Sequence, residues 1–372
     1  MTKKNMFGDY IKKDNSGDGD NEDKLDPASN PVDLPSTDQD GPELNKLLSQ
    51  SHRSLPFPQS ILPWSISQGE LTNQLLNAGY TSIKIIATAT VGEIQSLTQL
   101  SEHQIEKLIQ NAKSWQDFNF ETAAALLHSR EQMHRISTGS TSLDHLLGGG
   151  IEPRSITEFY GAFTSGKTQL SIQLAVNALL NPDGNLSDGY TVYIDTEGSF
   201  RPERVVQITK SLPVDAEDVL NRILVGRAHN TNIQMHLVNS LVELASQRSI
   251  RLVIIDSLTS NFRSEFIGKD TILERQQKLN QHVQQLMRIS DLLDIAVVLT
   301  NQVMSVMDGY EHSIQPVGGN IVAHGTTHRI ELTKSISTPN VRHARLIASP
   351  SQPEGSAPFK ITTDGIKDVY EG

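Results

Sequence analysis

Gly161-Ala162-Phe163-Thr164-Ser165-Gly166-Lys167-Thr168, with Gln169 after it, is the stretch on which the fold turns. It fits the pattern GxxxxGK[ST], follows the strand-like run Ser155 to Tyr160, and precedes a helical run carrying Leu170, Leu174, Ala175 and Ala178. A strand, a glycine loop and a helix in that order make a phosphate cradle. The glycines let backbone N–H groups close around phosphate, Lys167 reaches the β and γ oxygens, and the Thr168 hydroxyl ligates Mg²⁺. A nucleoside triphosphate is the implied ligand.

Working outward, further strand-like runs occur at Thr191 to Asp195, Arg222 to Val225, Leu252 to Asp256 and Ile295 to Thr300, with helical stretches between them. Several are continuously apolar and β-branched, as strands of a parallel sheet covered on both faces are. The intervening lengths suit right-handed crossovers. This predicts an α/β core, a mostly parallel sheet flanked by helices, over residues 137–372. Leu252-Val253-Ile254-Ile255-Asp256 ends in a carboxylate at the sheet's carboxyl edge, where it can serve the magnesium shell. Tyr193 to Arg204 delivers Glu197 into a turn at that edge, where a carboxylate can position or deprotonate water. Asp195 and Glu203 compete with it, as a cap or a surface ion pair. Arg204 can lie over a nucleotide base or pair with Glu203, and spacing alone favours the pair.

Upstream the character changes. Residues 1–40 hold ten carboxylates against five lysines and almost nothing apolar, so residues 1–60 are expected to form a disordered acidic tail. Residues 61–115 show short amphipathic stretches around Leu71, Leu75 and Leu76, then Ile83, Ile86 and Ala87, then Ile94 and Leu97, and finally Ile105, Leu108 and Ile109. They predict a small all-α unit. Residues 116–136 form a linker containing Phe120-Glu-Thr-Ala123, which by spacing alone reads as a helix's own core contacts.

Composition narrows the class. No apolar run approaches the roughly 18 residues of a membrane span, so no membrane partner is expected. With no cysteine, disulfides, iron–sulfur clusters and thiol nucleophiles are excluded. The lysines at the N-terminus precede no apolar core of signal-peptide length, which predicts an intracellular protein. His324 and His328 stand four apart, but the glutamate of a zinc protease motif is missing between them.

Taken together, Ser137 to Ala178 with its Thr138-Gly-Ser-Thr-Ser-Leu-Asp-His-Leu-Leu-Gly-Gly-Gly-Ile-Glu152, Tyr193 to Arg204, and Arg227-Ala-His-Asn-Thr-Asn resemble the RecA-type recombinases. Within these the chain is similar to the archaeal RadA and eukaryotic strand-exchange branch, over roughly residues 61 to 372. The resemblance implies an ATPase that forms a helical filament or ring on single-stranded DNA, pairs it with homologous duplex DNA, and binds ATP and Mg²⁺ between protomers. It implies Glu197 as catalytic carboxylate, with Lys167, Gln302 as the γ-phosphate sensor, Arg204 stacked on adenine, and Pro316 capping the adenine of the adjacent subunit. It implies that Phe120 and Ala123 mediate polymerisation as an added edge strand. DNA contacts are implied for Arg263, Lys269 and Arg275 in a first loop, and for Gly318, Gly319 and Asn320 with Arg329 in and after a second. Mediator proteins and a cytoplasmic, nucleoid-associated location, or a nuclear one in a eukaryote, follow from the same resemblance.

Three departures stand out. Val303 to Ala323 contains no Lys or Arg, although Asp308 and Glu311 are present, so Met304, Met307 and Tyr310 are expected to insert or stack instead. His312 stands where relatives place an aspartate in the ATP cap, which predicts altered salt or pH dependence. Ile61-Leu-Pro-Trp-Ser-Ile-Ser replaces a helix–hairpin–helix glycine turn, which predicts weak duplex binding by residues 61–115. A regulatory paralogue without strand exchange is the rival reading.

Overall fold

A strand that is apolar at every position needs cover on both faces, and the structure, a computed structural model, supplies it. Residues 74–75, 80, 83–114, 120–308 and 311–369 are described. The strands are β1 (Ser155–Tyr160), β2 (Tyr190–Asp195), β3 (Ile223–Arg227), β4 (Ile250–Asp256), β5 (Ala296–Asn301), β6 (Val303–Asp308), β7 (Glu311–Pro316), β8 (His328–Lys334), β9 (Val341–Ala348), β10 (Gly355–Thr362) and β11 (Gly365–Asp368). Along β4, Val253 and Ile255 enter one hydrophobic cluster while Leu252 and Ile254 enter another. In β5, Val297 and Leu299 join the first and Ala296 and Val298 the second.

One nine-stranded sheet runs in the order β11-β10-β9-β8-β1-β5-β4-β2-β3. From β8 to β3 every neighbouring pair is parallel, as the apolar runs predicted. The antiparallel extension β9 to β11 carries no such run and was not foreseen. β1 lies between β5 and β8, so the glycine loop leaves the centre of the sheet at its carboxyl edge. That is where open α/β sheets bind ligands.

Where the sequence reading placed a second DNA loop, β6 and β7 pair as an antiparallel hairpin from Val303↔Pro316 to Asp308↔Glu311. Tyr310, the side chains of 305–313 including Met307 and His312, that of Lys269, and the stretches around Leu71, Leu76 and Ile61 lie outside the described residues.

The N-terminal unit has helices Ile83–Thr88, Val91–Leu97 and Glu102–Ser114. Thr90 caps the second in a reciprocal box with Glu93. Ile86, Ile94, Ile105 and Leu108 are fully buried and share one cluster with Val283 and Ile289 of the long helix Ile272–Leu292. Glu93 joins the two regions through Arg288, at 2.6 and 2.7 Å. Burial raises the Glu93 carboxyl, but hydrogen bonds from Arg288 and Thr90 outweigh it and hold it below the usual range.

Beneath the long helix lies a polar network. The Gln234 amide donates to the Leu258 carbonyl at 3.0 Å and meets His282 Nε2 at 3.2 Å. The Asn261 amide donates to Gln234 and to the Ala228 carbonyl. His282 is fully buried against Phe262, and burial pushes its imidazole down to about 4. Its folded value lies below its unfolded one, so the unfolded chain takes up a proton first as pH falls. Stability should therefore drop between pH ~6.5 and ~4, by about 2–3 kcal/mol. Urea unfolding at pH 7 and 4.5 should show that this loss shrinks in His282→Gln.

Candidate active site

The glycine loop is shaped by close approach. A Cβ on Gly161 would sit 2.2 Å from the Leu332 carbonyl oxygen, and Gly166 has φ +104°. Both positions demand glycine. The Ser165 hydroxyl is buried and without a partner, and Lys167 Nζ donates to the carbonyls of Gly161 (2.8 Å) and Ala162 (3.0 Å). Burial lowers the Lys167 ammonium's hold on its proton, while the charges of Asp256 and Glu197 work against that shift. The loop borders a cavity of about 680 Å³ whose lining also includes Thr168, Gln169, Glu197, Asp256 and Gln302. Except for Ser165, each residue from Gly161 to Gln169 lines it. A narrow glycine cradle, an ammonium on replaceable carbonyl partners, and a hydroxyl residue sharing the cavity with two carboxylates fit a triphosphate with magnesium.

Three acidic residues reach this edge, and the geometry separates them. Asp195 Oδ1 accepts from the amides of Glu197 (3.1 Å), Gly198 (2.7 Å) and Ser199 (3.1 Å), and Oδ2 from Phe200 (3.2 Å). Arg227 pairs with it at 2.9 Å. Asp195 is thus the cap of the turn. Asp256 ends β4 and accepts from the hydroxyls of Tyr193 (2.7 Å), Ser199 (3.2 Å) and Thr300. It and Thr168 line the same cavity. Glu197 is presented into the cavity, where its Oε1 accepts from Ser257 Oγ (2.8 Å) and Gln302 Nε2 (2.7 Å).

Other expected residues fall elsewhere. Arg204 does not line the cavity, and it is not the surface partner of Glu203 that spacing favoured. Its guanidinium is largely buried, donating to the carbonyls of Thr362 and Thr363 and to Gln207. Arg329 is not free for DNA phosphate: it lies in β8 with Nε 2.7 Å from Glu158, a fully buried carboxylate. An uncompensated Glu158 would be costly, which commits the arginine to the core. Conversely, Arg342 on β9 lines the nucleotide cavity and donates to the Thr164 carbonyl at 3.1 Å. No motif marked it, because it arrives through the antiparallel extension.

A second cavity, about 370 Å³, gathers Arg263 and Arg275 with Met304, Pro316 and Gly318 to Asn320. The first- and second-loop candidates thus converge on one surface. Lys269 opens the short turn Lys269–Thr271. Gly318, the cap, and Gly319, the first residue of the helix Gly319–Gly325, have φ +89° and +52°. Phe120 is fully exposed, but Ala123 opens the helix Ala123–Glu131, with Thr122 as its cap, so it is not part of a strand here.

The Rad51 family model matches residues 129–369, about two thirds of the chain. The chain belongs to the Rad51 family, the RecA-type recombinases.

Asp195→Ala would leave four amides and Arg227 without their acceptor. It should cost about 2–4 kcal/mol of stability. Chemical denaturation checks this, and nucleotide titration should show affinity little changed, because no atom of the glycine loop rests on Asp195.

Proposed function

We propose that the chain is an ATP-dependent recombinase that assembles on single-stranded DNA and exchanges it into homologous duplex. The observation that carries this reading is adjacency. The nucleotide cavity and the cationic second cavity meet where Arg263 Nη1 donates to Gln302 Oε1 at 2.9 Å. Nucleotide state and DNA contact are therefore one hydrogen bond apart.

The residues have distinct tasks in this reading. Bound ATP and magnesium supply an activated phosphoryl group with its charge neutralised. Lys167 exchanges two carbonyl partners for phosphate oxygen, favoured because burial penalises its charge until an anion arrives. Glu197 holds the attacking water and takes its proton. Asp256 and Thr168 would hold magnesium, and Gln302, which lines the same cavity, would read the γ-phosphate. Arg342 adds a cation to the mouth of the same cavity. Arg263 and Arg275 take backbone phosphates, with glycine amides at Gly318–Gly319 supplementing a hairpin poor in cations.

Assembly follows from two unpaired features. β3 ends the sheet, with Val225 exposed on it and Ile233 exposed on the helix Thr231–Asn239 beside it. Phe120 projects into solvent before a helix that buries none of its residues and exposes Leu126 and Leu127. Addition of one copy's Phe120 segment to the next copy's edge would cover both. The product is a filament or ring.

ATP turnover with and without single-stranded DNA, together with transfer of a labelled strand into homologous duplex, tests the reading. Phe120→Ala should abolish assembly and exchange, through loss of an anchor worth about 2–4 kcal/mol, while leaving a folded monomer. Nucleotide binding without exchange under varied salt would instead favour a regulatory paralogue, with the cation-poor hairpin as the cause.

A further inference from the structure

At the amino ends of the parallel strands, opposite the glycine loop, lies a cavity of about 530 Å³ that shares no residue with the two already described. Arg154 enters it just before β1, Ser249 and Arg251 at the start of β4, and Asp294 just before β5. Its remaining wall is the linker, with Ser129 on the helix Ala123–Glu131 and His134 just after it.

Arg251 is the group without a counterpart. Among the described residues it has no carboxylate partner and no hydrogen-bond acceptor, and burial weakens its guanidinium's hold on the proton with no anion to oppose the shift. Its stem is placed by close approach: a Cβ on Gly189 would meet Arg251 Cδ at 2.3 Å and Cγ at 2.6 Å. Burial first, and the Arg251 charge second, hold the His134 imidazole below its ordinary range, against a hydrogen bond with the Leu180 backbone. A guanidinium already neutralised by a carboxylate would not repel the imidazole's proton in this way.

The acid in the lining is committed. Asp294 is largely exposed and lies 3.4 Å from Arg154, which also holds Asp291 at 2.8 Å. Arg154 and Asp294 have left-handed backbones, φ +58° and +54°, a conformation that side chains other than glycine adopt at a cost and that gathers at binding sites. An unpaired guanidinium beside two hydroxyls and an imidazole is a donor set for a tetrahedral oxyanion.

We propose that this cavity binds a phosphoryl dianion, as inorganic phosphate or a phosphate monoester, on Arg251, Ser249 and His134, with Ser129 closing on it from the linker. The linker helix buries none of its residues and is tied to the core by Arg130, 2.7 Å from Glu152. An anion shared between Arg251 of the core and Ser129 and His134 of the linker fastens that helix.

Calorimetry on the full chain, at constant ionic strength, measures binding of inorganic phosphate and of ribose 5-phosphate, and the tighter of the two identifies the source. Saturating ADP with magnesium should leave that affinity unchanged, because it occupies the other end of the sheet. Arg251→Gln should weaken binding about tenfold or more. Gly189→Ala, which displaces the Arg251 stem, should weaken it as well, and Arg251→Lys should recover part of the loss. Saturating anion should also slow tryptic cleavage at Arg130 and Arg135 in wild type but not in Arg251→Gln. No binding of either anion, or equal binding by wild type and Arg251→Gln, overturns the site. Displacement by ADP puts the anion in the glycine loop and overturns it equally, whereas binding with unchanged cleavage overturns the fastening of the linker.

Discussion

A buried ion pair at the centre of the sheet is the interaction on which the site depends. Glu158 on β1 is fully buried and accepts from Arg329 on β8 at 2.7 Å and from the Asn301 amide at the end of β5 at 2.8 Å. Three adjacent strands are thereby held just below the glycine loop that leaves β1 at Tyr160. Asn301 continues the chain of contacts to the Val317 carbonyl (2.7 Å) and the Thr259 hydroxyl (2.7 Å), which hold the base of the hairpin and the entry to the Arg263 helix. A lone charge in that position would be heavily penalised, so the pair favours one register and one placement of both loops over shifted alternatives.

That hub also shows what could and could not be read from sequence. The glycine loop was legible because phosphate binding demands glycine at fixed spacing, and β4 and β5 because burial on two faces demands unbroken apolar runs. Arg329 was misplaced for an equally physical reason. An arginine shortly after a glycine turn looks solvated until its buried carboxylate, Glu158, is brought beside it by the parallel pairing of β1 and β8. Arg342 was missed because β9 enters the sheet antiparallel, through a connection no motif announces. The hairpin of β6 and β7 reads as a loop in sequence because its apolar content is modest. The acidic tail and the altered glycine turn near Ile61 lie outside the described residues.

Charge distribution bears on how such a chain could meet DNA. The formal net charge is −11, and residues 1–40 supply −5 of it. Whole-chain charge matters less than local potential, since counterion release depends on the cations that touch phosphate. Arg263 and Arg275 face one cavity whose lining includes no acid, and two glycines of positive φ expose backbone amides beside it. The exposed Met304 at that rim adds a polarisable side chain where a cation is lacking.

The separation of labour among the carboxylates completes the physical picture. Asp195 is almost inaccessible and occupied by the amides of its own turn and by Arg227, whereas Asp256, at the end of β4, takes hydroxyls from β2, the turn and β5 and still borders the cavity. A carboxylate whose oxygens are already occupied by amides and hydroxyls is a poor base but a rigid support, and both support the turn that carries Glu197. Glu197 differs in kind: the groups that reach it are a serine hydroxyl and one amide, and that amide belongs to a side chain whose other partner, Arg263, lines the second cavity. Of the three acids, among the described residues it alone accepts from a side chain, Gln302, that is itself bonded to a residue lining the second cavity. Rigidity in two carboxylates is what makes mobility around the third informative, because a fixed Glu197 turns any change at Gln302 into a change in what the carboxylate can bind.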